Sequence, residues 1–121
     1  MATKKTISIS EDILKLYDSL IASNPEIERK GKTNPYTSWN GNMFTHLSPE
    51  GILAIRLAET DREAFIQKYN AKLQESNGII RKEYVVVPDA LLKNTRELKG
   101  WLDKSLAYVK TLKTKPSRKD P

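Results

Sequence analysis

The sequence predicts an α+β domain, an antiparallel sheet with a three-stranded meander and helices packed against it. Two stretches, Ile13 to Ile21 and Leu98 to Leu112, repeat apolar residues at three- and four-residue spacing, as buried helix faces do. Between them, short β-type runs are separated by Asn40-Gly41 and by Ser48-Pro49-Glu50-Gly51, both turn signals. The resulting order is α-β-β-β-α-β-α, and a meander beside helices that need a cover is the α+β pattern. A partly open barrel is the alternative.

Each element has a local reason. Ser10 is placed to cap the first helix, whose opening turn carries Glu11 and Asp12 at the positive end of the dipole. Ile13, Leu14, Leu16, Tyr17, Leu20 and Ile21 form its stripe, and Asn24-Pro25 ends it because a residue before proline is pushed out of helical geometry. The charged segment 26–32 reads as a loop. Residues 36–39 and 42–47 read as two strands joined by Asn40-Gly41, where a type I′ turn needs positive φ at both positions. The third strand, 52–57, places Leu53, Ile55 and Leu57 on one face and Arg56 on the other. By the same alternation His46 shares a face with Phe44 and opposes Met43, Thr45 and Leu47.

Thr60 and Glu63 form a capping-box pattern opening a helix that runs to about Leu73. Ser76-Asn77-Gly78 breaks the chain, and β-branched, tyrosine-bearing residues 79–87 read as the fourth strand. Pro88 stops the pairing and residues 89–92 form one helical turn. Asn94, with Glu97 three residues on, opens the last helix, whose stripe is Leu98, Trp101, Leu102, Leu106, Val109 and Leu112, interrupted only by Gly100.

At 121 residues the chain is expected to form one domain over residues 10–112, after a flexible segment 1–9 and before a basic, disordered tail 113–121. The absence of cysteine excludes disulfides, thiolate metal sites and a thiol nucleophile. Apolar runs such as Val85-Val86-Val87 are too short to span a hydrocarbon core, and the basic start lacks the apolar stretch of a signal peptide. The expectation is a cytoplasmic protein with no membrane partner.

The net charge of +6 is unevenly placed. Lys4 and Lys5 supply two of the charges, and Lys110, Lys113, Lys115, Arg118 and Lys119 against Asp120 supply the other four, so residues 6–109 are neutral. The tail residues Lys110, Lys113, Lys115, Arg118 and Lys119 are candidates for phosphate contact without sequence preference. A solubilising role is the plainer reading, since so few charges give modest affinity, and docking on an acidic protein is a third.

No catalytic constellation emerges. His46 is the sole histidine and has no partner at ligand spacing, so a structural or surface role outweighs a metal or general-base role. No nucleophile elbow and no glycine-rich phosphate loop is present. Glu83 stands out among the carboxylates, but Arg81 and Lys82 beside it suggest a solvated edge. No catalytic residue, cofactor or metal is therefore assigned. The hairpin residues Tyr36, Trp39, Asn40, Met43 and Phe44 are the densest aromatic and amide patch and a candidate interaction surface with Trp39 as anchor. The alternative is that Trp39, Met43 and Phe44 are core and the amides serve the turn.

One family resemblance covers most of the chain, from about Ser10 to Leu112. The run Gly41-x-Met43-Phe44, the strand Ile52-Leu53-Ala54-Ile55-Arg56-Leu57 and the helix start Thr60-Asp61-Arg62-Glu63-Ala64-Phe65 resemble the TfoX N-terminal domain family. Tyr84, then Val87-Pro88-Asp89-Ala90-Leu91-Leu92, and the helix with Leu98 and Trp101 are similar to its closing segment. Where the family often carries an M-F-G-G-type stretch, this chain has Asn34-Pro35-Tyr36-Thr37-Ser38-Trp39. The resemblance implies a single-domain member with an α+β fold, in some relatives tied to regulation of bacterial DNA uptake, with no established catalytic residues. The combined expectation is a non-enzymatic regulatory domain acting through protein contacts, with self-association open. A nucleic-acid-associated factor using the basic termini, and a small-ligand binder or enzyme with an unrecognised pocket, are the alternatives.

Overall fold

A computed structural model describes residues 11–31, 35–48, 50–76 and 78–112. The expected segment 1–9, the cap at Ser10 and the tail 113–121 lie outside the described residues. In chain order the elements are α1 (Glu11–Ala22), β1 (Tyr36–Trp39), β2 (Asn42–Leu47), β3 (Leu53–Arg56), α2 (Glu59–Tyr69), β4 (Leu73–Ser76), β5 (Ile79–Val86), α3 (Asp89–Leu92) and α4 (Thr95–Lys110). The strands form one antiparallel sheet in the order β1-β2-β3-β5-β4. The mixed α+β class and the order α-β-β-β-α-β-α are those expected, with β4 as an additional strand.

The helices pack on one face of the sheet. Tyr17, Leu20 and Ile21 of α1, Phe65 of α2, Leu91 and Leu92 of α3, and Leu98, Leu102, Leu106 and Val109 of α4 share one core with Phe44, Leu47, Leu53, Ile55, Leu57, Val85 and Val87. Both helical stripes and the inward face of β3 are thus those the apolar spacing predicted. Within the core a short hydroxyl chain links Tyr17 to Thr45 at 2.8 Å and Thr45 to Thr37 at 2.7 Å, satisfying buried polar groups of α1, β2 and β1 together. Phe65, Tyr69 and Trp101 form a tilted and edge-on aromatic cluster that fastens α2 to α4.

The β1–β2 turn takes the predicted form, with φ of 51° at Asn40 and 82° at Gly41. Asn94 caps α4 by accepting from the Glu97 amide. Four details differ from the sequence reading. A bulge in the β1–β2 ladder sets Thr37 against Thr45 but Ser38 against Met43, leaving Phe44 as the extra residue. The bulge breaks strict alternation, so Phe44, Thr45 and Leu47 are all buried, while Met43 and His46 are half-buried. His46 therefore does not share the face of Phe44.

Secondly, α2 begins at Glu59 after Ala58, whose carbonyl accepts from Arg62, so Thr60 lies inside the helix and caps nothing. Thirdly, α2 stops at Tyr69 because Asn70 turns left-handed, φ 53° and ψ 42°, and its amide closes on the Ile66 carbonyl. Leu73–Ser76, which has little strand propensity of its own, is then held as β4 by pairing with β5. Fourthly, Glu83 is not at a solvated edge. Its strand lies between β3 and β4, and its carbonyl accepts the Leu57 amide.

Candidate functional site

A polar network starts on the face of the sheet turned away from the helices and runs through Arg56 and Glu83 to Tyr108 of α4. Its geometry depends on curvature. His46 on β2 and Gln74 on β4 are three strand spacings apart, about 14 Å in a flat sheet. His46 Nε2 nevertheless lies 2.9 Å from Gln74 Oε1, so the sheet coils until this face is concave. Ala54, paired with His46 and Val86, lies beneath that bridge and is fully buried although it is outside the helix-side core.

Tyr84 stands beside His46 with ring centroids 5.7 Å apart, and its hydroxyl donates to the Met43 carbonyl at 2.8 Å. Arg56 Nη1 donates to the same carbonyl at 3.4 Å, and Arg56 Nε donates to Glu83 at 2.6 Å. The guanidinium carbon lies 5.9 Å from the Tyr84 ring and 5.8 Å from that of Tyr108, whose hydroxyl donates to Glu83 at 3.1 Å.

Burial lowers the His46 pKa, a hydrogen bond to Gln74 opposes this, and the charge of Arg81 adds to it; the ring is neutral at pH 7. Burial pushes the Glu83 carboxyl up, but hydrogen bonding and charge from Arg56 outweigh it and the group titrates below its ordinary range. Burial also raises Tyr84 and Tyr108. The network holds a permanent cation already paired, a neutral imidazole already bonded and two protonated phenols. It braces the concave face and presents no poised acid–base pair.

The sign of its pH dependence follows. An unfolded His46 takes up its proton near 6.5 while the folded one resists, so the unfolded state binds more protons as pH falls. This contribution to stability is complete above pH 6.5 and is lost as pH falls through the folded pKa. Urea unfolding of the wild type should therefore weaken below pH 6.5, and His46→Gln should flatten that limb while leaving the deeper loss from Glu83, which begins below 4.5.

A second feature lies at the β4–β5 end. β3 pairs only with Tyr84, Val85 and Val86 of β5, whereas β4 continues along β5 to Ile79. Residues 79–81 therefore belong to a two-stranded ribbon that runs past the end of β3, with Gln74, opposite Arg81, reaching back to His46 of β2. Ile79 is 64% exposed and Ile80 54%, and Arg81 and Lys82 behind them are exposed too. Because neighbouring strand residues point to opposite sides, the two isoleucines present apolar surface on both faces of the ribbon. Gly78, at φ 77°, makes the tip with open space around it.

At the opposite end of the same ribbon is a cleft of about 290 Å³ lined by Tyr69, Pro88, Ala90, Leu91, Asn94 and Glu97. Its walls are mainly apolar and its rim is the Glu97 carboxylate, which accepts from the Tyr69 hydroxyl; Tyr69 in turn accepts from Trp101 Nε1 at 2.9 Å. A second groove, about 320 Å³ between the end of α1 and α4, is lined by charges already joined, Lys99 with Asp103 and Lys110 with Glu26.

The predicted hairpin residues are spread rather than gathered. Phe44 is wholly buried, Tyr36, Trp39 and Met43 are half-buried, and Asn40 is exposed in the turn. Trp39 packs against the core and Lys110 Nζ sits 4.7 Å above its ring, while also pairing with Glu26 at 3.0 Å. Lys113, Lys115, Arg118 and Lys119 lie outside the described residues. By sequence Ile79 and Ile80 belong to an ordinary strand; the signal for their exposure is the run Ile-Ile-Arg-Lys, which lacks the alternation of a half-buried strand.

Among the described residues no three His, Cys, Asp or Glu side chains converge as a metal site, and no helix is long and apolar enough to cross a membrane. Compared with known proteins, the chain matches no family model, no curated protein and no solved structure.

Proposed function

We propose that this chain is a non-enzymatic interaction domain that works through protein contact, in keeping with the regulatory role that its resemblance to the TfoX N-terminal domain implies. The observation that carries this reading is the projecting ribbon. Two adjacent large aliphatic side chains, each more than half exposed on a two-stranded arm, are a liability for a solitary protein and a natural anchor for a partner. Arg81 and Lys82 directly behind them make no ion pair with a described residue and favour a partner with acidic surface.

A photo-reactive residue placed at Ile80, with an exposed control at Lys104, tests the reading in lysate of the native host. The expected result is a nuclease-resistant protein adduct at position 80 and none at 104. An adduct with nucleic acid alone would move the function to the alternative class, and equal labelling at both positions would remove the ribbon from it.

A further inference from the structure

Resting on the interaction reading, we infer that the ribbon's partner is a second copy of this chain, each ribbon tip seating in the other copy's base cleft. The two ends of the ribbon are complementary. The tip offers Ile79 and Ile80 with two exposed cations, Arg81 and Lys82, that form no ion pair among the described residues. The base offers an apolar notch walled by Tyr69, Pro88, Ala90 and Leu91, with the exposed Asp89 beside it; the Glu97 carboxylate in its lining is shared with Tyr69 and with Lys68 at 3.7 Å. Whichever way the ribbon is turned, one isoleucine faces the notch, because adjacent strand residues point to opposite sides.

Distance excludes self-insertion. The strand Ile79–Val86 has eight residues and spans at most about 24 Å, bulging against β4 where the register shifts between Leu73 and Gln74, with the tip at one end and the cleft beyond the other. A molecule cannot place its own tip in its own cleft. Two molecules related by a two-fold axis, with ribbons side by side and antiparallel, place each tip at the other's base. Both clefts fill at once and the assembly closes, as an isologous pair requires. The arrangement also lays the β4 strands alongside each other. β4 is the terminal strand of the sheet, whereas the other terminal strand, β1, is covered at its start by paired backbone hydrogen bonds with Lys30.

The absence of cysteine makes the test direct. Ile80→Cys and Ala90→Cys are introduced into separate full-length chains, which are mixed and oxidised. The expected product is a disulfide-linked dimer of the two variants, far in excess of that from either variant alone. Sedimentation of the wild type should show a concentration-dependent dimer, and Ile80→Glu should raise its dissociation constant on the order of 100-fold while leaving the thermal midpoint unchanged when it is read at concentrations too low for the dimer to form. A wild type that stays monomeric to millimolar concentration overturns the inference, as does a dimer indifferent to Ile80→Glu or linked equally well by Ile80→Cys alone. The two readings separate by adduct mass. A monomer whose position 80 still labels a foreign protein defeats the second-copy inference and leaves the interaction reading intact, whereas a monomer that labels nothing defeats both.

Discussion

Phe44→Ala should lower the unfolding free energy by about 3–5 kcal/mol, whereas Met43→Ala, one residue away, should cost far less. Phe44 is completely buried at the bulge of β2, in the core it shares with residues of α1 and α4, and truncating it leaves a cavity in that core. Met43 is half-buried on the concave face, where its carbonyl rather than its side chain takes part in the network with Tyr84 and Arg56. Urea unfolding of the two variants measures the difference. Equal costs would mean that the bulge does not set the phase of this strand as described.

Between pH 10 and about 12 the wild type should lose on the order of 3 kcal/mol of stability through Tyr17. Burial pushes this phenol from 10.0 up to about 12, against the opposing effect of its hydrogen bond with Thr45. An unfolded Tyr17 ionises first as pH rises, while the folded side chain keeps its proton. The folded state then binds more protons, so stability is complete below pH 10 and is lost as pH climbs through the folded pKa. Tyr17→Phe should remove this part of the alkaline slope. At neutral pH it should cost only about 1 kcal/mol, because Thr45 retains its bond to Thr37. Unfolding midpoints of both proteins at pH 8 and at about pH 11 provide the comparison, and parallel alkaline slopes would show that Tyr17 is not the group responsible.

The candidate site was less legible in the sequence than the core. His46 was recognisable as a histidine without metal partners, but its bond to Gln74 joins residues 28 positions apart through a curvature that no local pattern records. Glu83 carried flanking cations that suggested an exposed edge, yet its partner is Arg56, brought to it by pairing between β3 and β5. The hairpin attracted notice through its aromatics, and those are the side chains that the core and Lys110 have largely covered. Ile79 and Ile80 attracted none, because a β-branched run reads as buried strand until one knows that β3 ends before reaching them.

By itself the sequence determined the α+β class, the helical stripes, the inward face of β3 and the Asn40-Gly41 turn. Each rests on φ preferences or apolar spacing within a few residues, which the chain carries wherever it goes. The tertiary structure alone decided the bulge at Phe44, the recruitment of Leu73–Ser76 as β4, the coiling that closes His46 onto Gln74, and the ribbon left standing beyond β3. These depend on which distant strand supplies the hydrogen bonds and where that strand stops, and register between distant segments is not encoded in either segment alone. The fold class expected from spacing and turns is therefore the one observed, and the surface that gives it a proposed partner comes from the place where its pairing runs out.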